Sequence, residues 1–286
     1  MAYLPAILWV LLSTALWTLI FAAGKFADGA LDPFQITVLR YFGALLTLLV
    51  LVPSQGGIGA HRSNQPLVHF ARAVSGCGAA VAITWASANM PLIQATAIGM
   101  LYGVLALLLG MVVLKERVSP RHWIAVVVSV AGVSIILFGK GAFQGGWSVL
   151  PALATLASAT LFAVEGVLIS VLGRAERAFT VMLYVTVFGL GLMAWPAYAG
   201  SQPTSWEAAL LCVALGPLGV LAQYCTIRGY RSAPLSVVAP VDYSWLLFSA
   251  VLGAVIFTET PGIATWIGCG AIILGGVVLV GVGRRG

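Results

Sequence analysis

Arg40, Glu165 and Asp242 lie well inside stretches of the chain otherwise dominated by Leu, Val and Ala. If those stretches cross a membrane, each charge costs about 2.5–3.5 kcal/mol at the bilayer centre, so each residue needs a role. Arg40 shares one helical face with Thr37, Gly43 and Thr47, and that face should point into the protein. Glu165 follows Phe162 by three residues and Asp242 precedes Trp245 by three, so each carboxylate shares a face with an aromatic ring. Such residues could build a cavity at mid-depth, with aromatic walls around an apolar side chain and charged groups addressing a zwitterionic end. Trp17, Tyr102, Tyr224 and Tyr243 are further candidates for its wall, as is Trp85 near a span end. Two other uses stay open for Arg40: pairing with an acid to pin helices, or reaching to an interface. Either carboxylate could also carry a coupling proton. Pro240, two residues before Asp242, lacks a backbone donor and predicts a kink, whether as a gate or as tolerated bending.

The surrounding elements follow from composition. The chain has 286 residues, 61% of them hydrophobic and 8% charged, with a mean hydropathy of +1.06. Soluble domains carry about 25% charged residues, so a soluble fold is excluded. A helix needs about 20 apolar residues to span the hydrocarbon core. Apolar runs of that size occur at 5–25, 33–52, 69–88, 92–114, 121–139, 150–173, 179–198, 206–228, 234–257 and 261–282. They predict an all-α integral membrane protein of ten transmembrane helices in a single membrane domain, with Pro53–Val68 as the longest connection. The first run ends in Ala22-Ala23-Gly24, yet lacks a basic leader and is followed by nine more, so it reads as an uncleaved first helix.

Pro91–Gly139 reappears without a gap as Pro234–Val282, an offset of 143 positions. Leu92/Leu235, Gly110/Gly253, Glu116/Glu259, Trp123/Trp266 and Gly132/Gly275 are among the identities. Each copy is a span, a turn carrying one glutamate, and a second span. The turns differ in charge: Lys115, Arg117 and Arg121 become Thr258, Thr260 and Ala264. Helices that recur without their positive charge are expected when two turns face opposite sides of a membrane. The chain is therefore expected to hold two inverted five-helix repeats, 1–143 and 144–286. Glu116 and Glu259 are expected to be structural, bonding neighbouring backbone amides in their hairpins.

Charge placement agrees with that topology. Of the 14 Lys and Arg residues, eleven fall on one side, Arg72, Arg174 and Arg228 among them; Lys25 and Lys140 fall on the other, and Arg40 is within a span. The positive-inside rule then puts both termini in the cytoplasm. It also accounts for the net charge of +6 without nucleic acid. Trp9, Trp123, Trp147, Trp195, Trp206 and Trp266 sit near span ends, where indoles anchor in the headgroup region. The four cysteines lie inside spans without C-x-x-C spacing, so buried thiols are expected, with no metal site and no cofactor. Recurring glycines at 132, 268, 270, 275 and 276 favour close helix packing inside the chain, with a homodimer contact left open beside a sufficient monomer.

Ser232-Ala233-Pro234-Leu235-Ser236-Val237-Val238, with Pro240, Glu259 and Trp266-Ile267-Gly268, resembles the second repeat of EamA-type transporters of the drug/metabolite transporter superfamily. Met90-Pro91-Leu92, Glu116 and Trp123-Ile124 resemble the first, and Trp17 and Arg40 stand where that family often has a tryptophan and an arginine. One departure is Ala97, which aligns with Pro240, so no proline predicts a kink in the fourth span. The resemblance covers essentially the whole chain. It implies a ten-helix, alternating-access exporter of small metabolites in the bacterial inner membrane, most similar to exporters of aromatic and other neutral amino acids. The alternative within the superfamily is a multidrug carrier for lipophilic cations, drawn by Glu165, Asp242 and aromatic rings. A nucleotide-sugar carrier would need several intramembrane basic groups, where only Arg40 is counted. No H-E-x-x-H, aspartate cluster or Ser/His pair favours an enzyme, since His61, His69 and His122 lie in loops or at span ends. No pore-loop repeat favours a channel.

Overall fold

The computed structural model describes residues 3–26, 32–90, 92–139, 141, 149–256 and 262–282. Among them every regular element is helical: α1 (Leu4–Phe26), α2 (Pro33–Leu51), α3 (Pro66–Asn89), α4 (Leu92–Gly99), α5 (Tyr102–Val113), α6 (Pro120–Gly139), α7 (Val149–Ala175), α8 (Ala178–Ala199), α9 (Trp206–Ser232), α10 (Leu235–Val238), α11 (Ser244–Ile256) and α12 (Ile263–Val282). Helices satisfy their backbone groups internally, which lipid demands because it offers no hydrogen bonds. Seven helical stretches are long and apolar enough to cross a membrane, and α1, α5 and α12 contribute shorter apolar segments. Many large apolar side chains face outward, with Val112 75%, Phe138 73% and Leu67 80% exposed; water would penalise such a surface and lipid does not. This is an integral membrane protein.

The connection after α2 runs only to Gln65, because Pro66 starts α3 earlier than the apolar pattern indicates. It is not an open loop. It holds two 3-10 turns, Pro53–Gln55 and Ile58–His61, and buries His61 against Phe179 and Thr180.

Packing is organised by a few long pairings: α6 with α12, α3 with α7, α1 with α9, and α2 against α8 and α9. Glycine permits the closest of these. A Cβ on Gly132 would meet the Gly268 carbonyl, and one on Gly275 would meet the Ala125 carbonyl and Ser129. Three of the recurring glycines are thus used between α6 and α12, inside the chain.

Two spans are interrupted. The stretch Leu235–Ile256 passes through a 3-10 turn, Ala239–Tyr243, between α10 and α11, where Pro240 supplies no amide. The stretch 92–113 is interrupted at Met100–Leu101 without any proline, so the absence of proline at Ala97 does not keep it continuous. A different group sustains this break: Tyr243 donates its hydroxyl to the Met100 carbonyl at 2.9 Å. Its ring lies where a Cβ on Gly103 would be. The two interruptions face each other.

One end of the bundle is densely packed. Ile7 and Val10 of α1, Leu48 of α2, Leu172 of α7, Val181 of α8, Ile227 of α9 and Leu235 of α10 are buried together there.

Candidate functional site

The polar face of α2 is positioned by backbone contact. Gly43 lies against the backbone of Val213 and Gly216 of α9. One turn earlier, Arg40 therefore lies along α9 beside Gly219, its Nη1 3.6 Å from where a Cβ there would stand. Its guanidinium sits 5.0 Å from the centroid of Trp17 and 5.3 Å from that of Tyr41. Cation–π contact of this kind orients the charge without neutralising it. Among the described residues no carboxylate pairs with Arg40.

Trp17, Arg40 and Glu165 line one cavity of about 430 Å³, counted out to its open mouth. Tyr41, Thr186 and Gln223 add polar groups to it, while Ala44, Met182, Val185 and Val220 supply apolar wall. Gln223 Nε2 is buried with no hydrogen-bond partner among the described residues. Glu165 is not alone: Arg72 of α3, fully buried, places Nε 3.8 Å from its Oε1. Gly76, one turn on, leaves room for the carboxylate, which a Cβ would crowd at 2.9 Å. Arg72 donates weakly to the Val181 carbonyl at 3.4 Å, and its Nε and Nη2 make no hydrogen bond. Two cations and one anion thus gather around one chamber.

Asp242 is not among the residues lining that cavity. Tyr102 and Tyr230 both donate hydroxyls to its Oδ2, the latter at 2.6 Å. The Thr14 hydroxyl lies 3.4 Å from Oδ1. Tyr102 belongs to this second cluster, and Tyr243 is buried in its contact with Met100. Tyr224 packs edge-on to Trp9 at 5.9 Å, with Arg228 over both rings. Trp9 is accordingly held between α1 and α9, whereas Trp195 and Trp206 project outward near helix ends, 73% and 72% exposed. Phe162 stands 37% exposed on α7, and Trp245 Nε1 is buried without a partner among the described residues. The expected single site is therefore divided in two.

Glu116 does not bond amides of its own turn. Its carboxylate accepts from Leu235 N at 2.7 Å and Ser236 N at 2.9 Å, at the start of α10. Glu259 and Trp147 lie outside the described residues. The four cysteines are buried and free.

Arg72, Gln223 and Tyr230 escape a reading of the sequence. Arg72 stands three residues into its predicted span and counts there as a flanking charge; the structure buries it, so it belongs to the interior and not to the basic fringe. An amide inside an otherwise apolar span was the available signal for Gln223.

The family model described as the EamA-like transporter family matches twice, over residues 4–138 and 149–281. Among curated proteins the chain is 24% identical over 273 residues to an S-adenosylmethionine uptake transporter of Rickettsia prowazekii (strain Madrid E), covering 95% of this chain and 90% of the other. It is 24% identical to a riboflavin transporter of Vibrio cholerae, over 95% and 91% of the two chains. The pseudopaline exporter CntI of Pseudomonas aeruginosa (strain UCBPP-PA14) is 26% identical, over 96% and 93%. A solved crystal structure with 24% identity superposes with a TM-score of 0.83 over 98% of both chains, which shows the same fold.

Proposed function

Because this chain belongs to the EamA-like transporter family, we propose that it is an alternating-access exporter of small zwitterionic metabolites, aromatic and other neutral amino acids foremost. The observation that carries this reading is the uncompensated guanidinium of Arg40. It is held against Trp17 and Tyr41 in a chamber that also presents Glu165. A substrate carboxylate completes the Arg40 charge, its ammonium approaches Glu165, and its side chain takes the apolar wall of Met182, Val185 and Val220. S-adenosylmethionine, named for one relative, also ends in an α-amino acid, so the same head group would fit.

Lipophilic cations fit less well. A cation without a carboxylate leaves the Arg40 guanidinium uncompensated and is repelled by it.

The architecture proposed is ten crossings in two five-helix units of opposite orientation, with both termini cytoplasmic. The doubled family match and the mutual glycine contacts of α6 and α12 support it: the pairs 132/268 and 125/275 exchange under the 143-residue offset. The facing interruptions at Met100 and Ala239–Tyr243 support it too, since discontinuous helices from both repeats commonly flank a carrier's site.

Proteoliposomes test the substrate. Saturable uptake of labelled tryptophan is expected, inhibited by phenylalanine and other neutral amino acids. Tryptamine, which lacks the carboxylate, should compete poorly. Arg40→Ala should raise the half-saturating concentration roughly 10- to 100-fold, the equivalent of one lost hydrogen bond to a charged group. Arg40→Lys should recover part of that, because it restores charge but not the planar fork. Flux unaffected by amino acids and blocked by lipophilic cations would replace this reading with drug efflux.

A further inference from the structure

The two intramembrane carboxylates solve their burial in different ways. Glu165 has Arg72 beside it. Among the described residues, Asp242 has only hydroxyls as partners: Tyr102 from α5, Tyr230 from α9 and Thr14 from α1. From α6 and α12 the groups packed around its turn are Val133, Ile136, Leu137, Ile272 and the Cys269 thiol, none of them a cation. Glu165, a charge of the same sign, stands toward the cavity. Asp242 is partly buried, and an ionised carboxylate largely withdrawn from water and unpaired with a cation carries a desolvation cost that binding a proton removes.

The hydrogen-bond pattern provides for the proton at one atom. Both tyrosines donate to Oδ2, leaving Oδ1 with only the long 3.4 Å approach of Thr14. Opposite it, Thr14 has a single hydroxyl hydrogen, and the Val10 carbonyl at 2.7 Å is its nearer acceptor. The Thr14 oxygen is then available to accept from an O–H at Oδ1.

Position gives this group a use. On α1, Thr14 precedes the cavity residue Trp17 by three residues; on α9, Tyr230 follows the cavity residue Gln223 by seven. These helices run antiparallel, with Ser13 bonded to Ala222. Both offsets therefore point to the densely packed end, about 5–10 Å from the cavity at 1.5 Å per residue. The Asp242 cluster lies on that side of the chamber, against the packed residues Val10, Tyr230 and Val241, and it ties α1, α5 and α9 to the interrupted span.

We propose that Asp242 is the proton-binding site of this carrier, separate from the substrate chamber, and that its protonation state governs parting of the packed end. Water on one side supplies the proton, an O–H bond forms at Oδ1, and the same bond breaks to release the proton to water on the other side. The proposal rests on the carrier reading, but its first test does not depend on the substrate.

Purified protein in lipid nanodiscs, without any solute, is titrated from about pH 5 to about pH 9, the range in which a perturbed carboxyl group can be followed, by infrared difference spectroscopy. The wild type should show the carbonyl stretch of a protonated carboxylic acid that disappears with rising pH. Asp242→Asn should lack it and the double variant Arg72→Met/Glu165→Gln, which removes the buried pair together, should keep it. Persistence of the band in Asp242→Asn, its loss in that double variant, or its absence from the wild type overturns the proposal. The second test uses proteoliposomes and labelled tryptophan. A gradient of about one pH unit should drive up to about tenfold accumulation at one proton per substrate. Asp242→Asn should lose that accumulation while still exchanging labelled for unlabelled tryptophan. Gradient-driven accumulation surviving in Asp242→Asn, or replaced by a sodium gradient, would also overturn it. If tryptophan is not carried at all, the substrate reading fails and the infrared result still decides the proton site.

Discussion

Replacing Glu116 by alanine is expected to lower the stability of the folded protein by about 2–5 kcal/mol, the sum of two buried amides losing a charged acceptor. The residue follows Lys115, whose left-handed backbone (φ 54°) turns the chain back at the end of α5. Leu114 and Glu116 both donate their amides to the Gly110 carbonyl there, as in a helix C-cap. That reversal aims the side chain inward, where it is 7% exposed. It holds the first two amides of α10, which no intrahelical carbonyl can reach. Arg174 stands 3.7 Å from the same carboxylate and donates to the Ala233 carbonyl at 3.3 Å. One carboxylate therefore joins the α5–α6 turn, the end of α7 and the α9–α10 junction. Glu116→Gln retains one acceptor oxygen and should cost about half as much. Thermal unfolding in detergent or nanodiscs reads both variants; an alanine variant that melts with the wild type refutes the clamp.

Arg72→Met and Glu165→Gln should each be severely destabilising, by about 3–5 kcal/mol for Arg72→Met, because removing one partner strands a buried charge. The double variant Arg72→Met/Glu165→Gln should recover most of that loss. Neither charge remains to be solvated, and buried pairs replaced by neutral residues are often nearly as stable. Unfolding temperatures of the four proteins form the cycle. Additive losses in the double variant would show that the 3.8 Å approach is not an energetic pair. Transport separates the two roles of Glu165: the double variant should fold yet bind zwitterions poorly, since the ammonium has lost its partner.

Individual residues show how far the sequence could be read. Intramembrane charge is expensive, which makes Arg40 and Glu165 legible as candidates, and the interior position of Trp17 in its span makes it a third. The offset of 143 was visible because packing constrains both copies alike. Partners across the fold were not visible. Nothing near Glu116 indicates that it reaches Leu235, because that contact requires two hairpins to meet. Proline marks the interruption at Pro240, but the one at Met100 depends on the Tyr243 hydroxyl, a group from the other half of the chain. Asp242 was visible as a charge; its separation from the cavity depends on how α1 and α9 align, which no local pattern encodes.

The proposed carrier mechanism requires two units set in opposite senses around the Arg40 chamber, and labelling from one side of the membrane tests that directly. All four native cysteines are buried, so Ser119→Cys and Gly262→Cys report cleanly to an impermeant maleimide on intact cells. Gly262→Cys should react at once and Ser119→Cys only after the membrane is opened. Reaction of both from the same face would contradict the inverted arrangement and the carrier mechanism built on it.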